Sequence, residues 1–153
     1  MEHKESSNPS EANAVVVEWK GHRIFEATPP TGNKFMMDAY PDAGGQNQGP
    51  APLEAFIAAG AACSAMDVLQ ILEKKRQKVT SYRVEVDGER SSEGPYPRPY
   101  LNLVFRHILE GDGLDTNAVE QAVRLSDEKY CTVIATLRGA PLILSIFEVN
   151  DHS

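Results

Sequence analysis

The sequence predicts an α+β fold with the element order βββ-α-ββ-α-β, in which antiparallel strands are separated by two helices. Short runs rich in β-branched and aromatic residues, separated by turns with Gly or Pro, fill most of residues 14–40 and 80–109. Two longer stretches without proline, at 53–77 and 116–130, follow these runs of strands. Grouped strands of this kind indicate antiparallel sheets and exclude the strict strand–helix alternation of a doubly wound parallel sheet.

The N-terminal strands follow a polar tail, residues 1–13. Residues 14–27 are predicted to form a hairpin around the turn at Lys20-Gly21, because AVVVEW and HRIFEA suit strands and glycine suits the turn. The turn PPTGN precedes a third predicted strand, residues 34–40. A loop rich in Gly, Pro, Asn and Gln then covers residues 41–52.

The stretch from residue 53 to about 77 is predicted to be a helix. Pro52 suits a first helical turn, and the basic run KKR near the C-terminal end complements the helix dipole. The first half, AFIAAGAAC, is apolar nearly all round, which predicts burial on most faces. Asp67 would be costly inside a bilayer, so the helix is predicted to lie in the core of a soluble protein.

The remaining elements are two strands, a helix and a last strand, predicted over residues 80–90, 100–109, 116–130 and 141–149. Alternating polar and apolar residues mark the first of these strands, and Asp115 or Thr116 can cap the helix. The inner stripe of that helix is predicted to be Val119, Ala122, Val123 and Ser126. Cys131 and a short segment, TVIATLRG, lead to the last strand.

Length and charge exclude several classes of protein. A chain of 153 residues favours one domain, here residues 14–150, and the net charge of −7 argues against nucleic-acid or anionic-membrane partners. The polar N-terminus lacks the apolar core of a signal peptide, so a cytoplasmic location is predicted. No cofactor is expected, and without Cys-x-x-Cys or His-x-x-x-His spacing no metal site is predicted.

The two cysteines, Cys63 and Cys131, are the candidate reactive groups. A thiol in the middle of an apolar helix is often an inert core residue, whereas Cys131 lies near a helix start, which favours a thiolate. Asp67 lies four residues after Cys63, about 40° around the helix, and so shares its face. Because a carboxylate disfavours a neighbouring thiolate, a cation is required, and the candidates are Arg23, Arg138 and Lys129. The alternative for Asp67 is a structural carboxylate that caps backbone or pairs with a basic residue.

Two segments surround the cysteines: GGQNQGPAPLEAFIAAGAACSAMDV and LSDEKYCTVIATLRGAPLILSIFEV. The first resembles the reactive-cysteine helix of the OsmC/Ohr family of thiol-dependent hydroperoxide reductases, and the second resembles that family's second-cysteine segment. The resemblance covers residues 14–149 and implies an intertwined homodimer in which two central helices pack between antiparallel sheets. It also implies a peroxidase that acts on organic hydroperoxides, with hydrogen peroxide as a further substrate, and is regenerated by an external dithiol.

The resemblance also implies roles for four residues. Cys63 would attack the peroxide, and Cys131 would resolve the sulfenic acid as a disulfide. Arg23 and Glu54 would organise the thiolate. The family's glutamate stands ten residues before the first cysteine, where this chain has Leu53, and Glu54 follows it. This departure motivates an alternative: a non-catalytic dimer of the same fold that binds an apolar small molecule or senses oxidation through its cysteines.

Overall fold

The computed structural model describes residues 15–140 and 142–149. Over this part of the chain it has five strands and three α-helices, in an α+β arrangement with antiparallel sheets, as the sequence predicted. The chain divides into two compact units, Met1–Ala58 and Ala59–Ser153. The predicted N-terminal tail, residues 1–13, lies outside the described residues, and the single domain over residues 14–150 stays a prediction.

The first unit is built on a three-stranded antiparallel sheet. Strands β1 (Val16–Trp19), β2 (Phe25–Thr28) and β3 (Phe35–Met37) lie side by side in chain order, which confirms the predicted hairpin and third strand. β3 is shorter than the predicted 34–40, because the chain leaves the sheet at Asp38, whose N–H donates to the carbonyl of Pro50.

The buried carboxylate of Asp38 organises the loop that follows β3. It accepts backbone N–H bonds from Ala39, Gln46 and Gln48 at 2.8, 2.8 and 3.2 Å. Burial by itself would raise the pKa of Asp38, but these donors and the charge of His22 hold the pKa below its ordinary value. The loop packs so closely that a Cβ at Gly45 would overlap the Ala39 carbonyl.

Helix α1 spans Pro52–Lys74 and begins as predicted. It ends before residue 77, because Arg76 adopts a positive φ of 56° and the Gln77 N–H turns back to the Leu72 carbonyl. A single face is buried, formed by every fourth residue: Gly60, Ser64, Val68 and Leu72. The expected burial of residues 55–63 on most faces was therefore wrong for the single chain, in which Gly60 is buried but Phe56 is 48% exposed. By length and composition alone α1 could span a membrane, a test that core helices of soluble proteins also pass.

The second unit holds a long hairpin of two antiparallel strands, β4 (Lys78–Arg90) and β5 (Tyr100–Asp112). Both strands extend beyond the predicted ranges. Their outer face carries ion pairs in which Glu85 and Asp87 meet Arg83 and Arg106. Their inner face packs on a core cluster of buried residues from two helices: Val68, Leu72, Ala118 and Ala122.

The second-cysteine segment follows as a helix, a wide turn and a short helix. Helix α2 (Thr116–Leu125) is capped by Asp115, whose carboxylate accepts the Asn117 N–H at 2.9 Å. The predicted continuation to residue 130 is a π-helical turn, Ser126–Tyr130, and helix α3 (Thr132–Gly139) starts after Cys131. In the predicted stripe of α2, Ala122 and Ser126 are fully buried, while Val119 and Val123 are half-buried against the core.

The prediction of a last strand over residues 141–149 was wrong for the residues that the structure describes. Residue 141 lies outside the described residues, and residues 142–149 form no strand. Leu142 and Phe147 are 97% and 88% exposed. The sequence suits a strand, but a strand forms only where a neighbouring edge satisfies its backbone hydrogen bonds. In the described part of this single chain, no strand edge pairs with residues 142–149.

Candidate active site

Cys63 and Cys131 lie together in the second unit. Their Sγ atoms and a carboxylate oxygen of Asp67 are all within 4.8 Å of one another, and both thiols are free. Cys63 and Asp67 share one face of α1, as their spacing predicted. Cys131 comes from the residue before α3, so two separate elements supply the thiols.

Burial distinguishes the two thiols. Cys63 is half-buried, whereas Cys131 is 2% exposed. The Cys131 Sγ caps α3 by accepting the Ile134 N–H at 3.5 Å. Burial nevertheless raises the pKa of Cys131, and the neighbouring Cys63 raises it further, against the partial opposing effect of the Ile134 and Val133 N–H groups. The expectation that a helix start favours a Cys131 thiolate was therefore wrong, because the loss of water outweighs the helix N–H groups.

A buried serine pair joins the two cysteine-bearing segments. The Oγ of Ser126 lies 3.2 Å from both the Oγ and the carbonyl oxygen of Ser64, and 3.3 Å from Oδ2 of Asp67. The carbonyl of Ser126 also accepts the Cys131 N–H at 2.9 Å. Ser126 thus holds the backbone of Cys131 from one end and the Cys63 helix from the other.

The basic candidates have different surroundings. Arg138 forms an ion pair with Asp127, in which one guanidinium nitrogen donates to both carboxylate oxygens at 3.0 Å. The other terminal nitrogen donates to the Asp127 carbonyl. Lys129 is exposed in the π-helical turn. Arg23 belongs to the first unit, where it is exposed and its side chain passes beside Gly44.

Glu54, which also belongs to the first unit, has a local structural task. Its exposed carboxylate accepts the Ala51 N–H at 2.8 Å, just before α1 begins. A glutamate in the first turn that reaches back to a free N–H stabilises the start of a helix. The roles of Arg23 and Glu54 in catalysis stay predictions.

A second polar pair lies on the inner face of the β4–β5 hairpin. Tyr82 Oη and His107 Nδ1 are 2.6 Å apart, and their rings are tilted against each other. Burial lowers the pKa of His107, partly offset by the negative charge of Asp127, and burial raises the pKa of Tyr82. The pair therefore favours a neutral imidazole.

Sequence reasoning identified the two thiols and Asp67 but missed the polar contacts that hold them. Ser126 was assigned only to an inner stripe. The sequence feature that could have identified this contact is a single hydroxyl residue that continues the four-residue spacing of Ala118 and Ala122. No sequence signal connects Ser126 with Ser64, because 62 residues separate them.

A family model described as OsmC-like protein matches residues 45–145 of this chain. The chain is 36% identical over 133 residues to protein YhfA of Escherichia coli strain K12, covering 87% of this chain and 95% of YhfA. This relationship extends over nearly the full length of both chains.

Solved structures share the fold. A hypothetical protein from Aquifex aeolicus VF5 is 30% identical, with a TM-score of 0.70 over 84% of this chain and 88% of that one. A Legionella pneumophila protein described as an organic hydroperoxide resistance protein is 16% identical, with a TM-score of 0.60 over 82% of this chain and 90% of that one. At 16% identity the likeness concerns the fold alone.

Proposed function

The chain belongs to the OsmC-like family, and from this premise we propose that it is a thiol-dependent peroxidase that reduces organic hydroperoxides. The observation that carries the proposal is the pair of free thiols with Sγ atoms within 4.8 Å of each other. Two thiols at this separation need only a small movement to form a disulfide. The substrate class of the proposal is the one named in the description of the Legionella protein, which shares the fold.

We assign the attacking thiol to Cys63 and the resolving thiol to Cys131. A peroxide must reach the attacking sulfur from solvent, and Cys63 is half-buried while Cys131 is 2% exposed. A resolving thiol needs only to meet the oxidised sulfur. The raised pKa of Cys131 keeps it protonated at neutral pH, so it is the poorer first nucleophile.

The reaction proceeds in three steps. The Cys63 thiolate attacks one peroxide oxygen, the O–O bond breaks, and the alkoxide takes a proton and leaves as an alcohol, so that Cys63 becomes a sulfenic acid. The Cys131 sulfur, as it loses its proton, attacks the Cys63 sulfur. The displaced hydroxide takes that proton and leaves as water, and a disulfide remains. An external dithiol restores both thiols by exchange and is itself oxidised to a disulfide.

The proposal includes a cation for the first step and a homodimer. Arg23 is the proposed cation that stabilises the Cys63 thiolate and the developing alkoxide, and Glu54 is proposed to orient it. The dimer is supported by large apolar side chains that are exposed in the single chain, since neighbouring exposed apolar side chains often mark a protein–protein interface. They line β1 and residues 142–149, and include Val16, Trp19, Leu142, Ile146 and Phe147. A second copy would supply the strand edge that residues 142–149 lack.

The test is steady-state turnover of cumene hydroperoxide with dithiothreitol as reductant, measured for the wild type and two cysteine variants. We expect turnover in the wild type and none in Cys63→Ser. In Cys131→Ser that is treated with the peroxide after dithiothreitol has been removed, we expect a sulfenic acid that dimedone labels in mass spectrometry. Met66→Leu, which removes an exposed sulfur from the same helix, is the matched control and should keep wild-type turnover. Wild-type protein that is alkylated in its native state but reduces no peroxide would refute the peroxidase in favour of the sensing or binding alternative.

The cation and the dimer have separate tests. Arg23→Gln is expected to slow sulfenic acid formation in a single turnover, while Lys129→Gln leaves it unchanged. Phe147→Glu is expected to shift the mass in sedimentation equilibrium from dimer to monomer, whereas Glu120→Lys, a change at an exposed residue of α2, is not. A monomeric wild type would contradict the dimer.

A further inference from the structure

We propose that Cys63, Cys131 and Asp67 of the reduced protein also form a binding site for a thiophilic divalent cation, specifically Zn²⁺. The three side chains offer two sulfur atoms and one carboxylate oxygen, all within 4.8 Å of one another. The sequence motifs gave no sign of such a site, because they lack the short spacings that usually mark zinc ligands. The site forms only when Cys131 folds against the face of α1.

The distances suit a tetrahedral ion after a small contraction. With Zn–S bonds of about 2.3 Å, two sulfurs on a tetrahedral zinc lie about 3.8 Å apart. The observed upper limit of 4.8 Å exceeds this by about 1 Å, a change that side-chain rotation can supply. Cys63 and Asp67 are four residues apart on one helix, a spacing that places two ligands on the same side of an ion.

The surroundings of the cluster favour a cation. Two thiolates and one carboxylate together carry three negative charges. The two positive charges of Zn²⁺ reduce this sum to one negative charge. Ser126 orients Asp67 by donating to Oδ2 at 3.3 Å, which is the kind of outer contact that supports metal ligands. The positive charge of Arg138, which follows Cys131 closely in the sequence, is paired with the carboxylate of Asp127.

Three protein ligands leave the fourth tetrahedral position for water, and Cys63 is half-buried, so the site is open on one side. The ion would use the same Cys63 sulfur that the proposed peroxide reduction uses, so the two events would exclude each other. Metal binding itself does not depend on the peroxidase proposal.

The test is titration of the reduced, untagged full-length protein with Zn²⁺ by calorimetry, and with Co²⁺ by absorption spectroscopy, in the absence of peroxide. We expect one ion per chain, with thiolate-to-cobalt charge-transfer bands and the visible bands of tetrahedral cobalt. Cys63→Ser and Cys131→Ser are each expected to lose the charge-transfer intensity of one thiolate and to weaken binding at least about tenfold. Asp67→Asn should weaken binding about tenfold or more and keep both thiolate bands.

Asp112→Asn, which changes an exposed carboxylate on β5, is the matched control and should bind like the wild type. Far-ultraviolet circular dichroism verifies that each variant is folded. As a second measurement, saturating Zn²⁺ should slow iodoacetamide labelling of both cysteines in the wild type. Absence of thiolate–cobalt bands, or equal affinity in the wild type and all three ligand variants, would overturn the site. Inactivity toward peroxide together with normal metal binding would refute only the peroxidase.

Discussion

The buried hydroxyl of Ser126 is the contact through which the two cysteine segments depend on each other. It is completely buried and has three oxygen atoms within 3.3 Å: the Oγ and carbonyl oxygen of Ser64 and Oδ2 of Asp67. A hydroxyl carries one proton, so it donates to one acceptor at a time. Ser126→Ala therefore removes about one donated bond and leaves the Ser64 hydroxyl without this buried partner.

The loss of unfolding free energy in Ser126→Ala can be estimated from these contacts. A neutral hydrogen bond contributes about 1 kcal/mol, and a bond to a carboxylate about 1.5–3 kcal/mol. Because 3.3 Å is long for a hydroxyl bond, we expect the lower end, about 1–2 kcal/mol of unfolding free energy. For a chain of this size the melting temperature should fall by about 2–8 °C.

The assay is urea unfolding of the wild type, Ser126→Ala, Ser64→Ala and the double variant. Since the two hydroxyls face each other, the losses of unfolding free energy in the two single variants should not add up to the loss in the double variant. We expect a coupling free energy of about 0.5 kcal/mol or more. Ser81→Ala, an exposed change on β4, is the matched control. Additive single changes, or a Ser126→Ala cost below about 0.5 kcal/mol, would refute the reasoning.

Three further predictions concern the core, the acid response and the loop after β3. Leu72→Ala, at a fully buried core residue, should cost about 2–5 kcal/mol in urea unfolding, and Leu101→Ala, at an exposed residue, about 0.5 kcal/mol or less; equal costs would contradict the assigned core. Burial lowers the pKa of His107 in the folded state, so its stabilising contribution is present above about pH 6.5 and is lost as pH falls toward the folded value. His107→Gln should therefore make the unfolding free energy fall less between pH 7 and pH 5 than in the wild type, by titrations in matched buffers, and an unchanged slope would exclude His107 as the cause. Asp38→Asn should speed amide hydrogen exchange at Gln46 and Gln48, which lose a charged acceptor, while Asp42→Asn at an exposed position should not; equal exchange rates would show that the carboxylate does not hold the loop.

Local sequence signals determined most of the secondary structure. The hairpin at residues 14–27 depends on β-branched side chains and a glycine turn, and α1 begins at Pro52 because the ring suits a first turn. The two cysteines and Asp67 were also identifiable, because helical spacing places Cys63 and Asp67 on one face and each half of the resemblance to the OsmC/Ohr family carries one cysteine.

Tertiary structure decided what no local pattern encodes. The meeting of Cys63 with Cys131 and of Ser64 with Ser126 joins residues more than 60 positions apart, and such contacts depend on how the elements pack. Packing also reversed the expectation for Cys131, since burial raises its pKa more than the start of α3 lowers it. The apolar segment at residues 142–149 has strand chemistry, yet its conformation depends on a neighbouring edge. Propensity acts through each residue's own backbone, whereas burial and pairing require a partner from elsewhere.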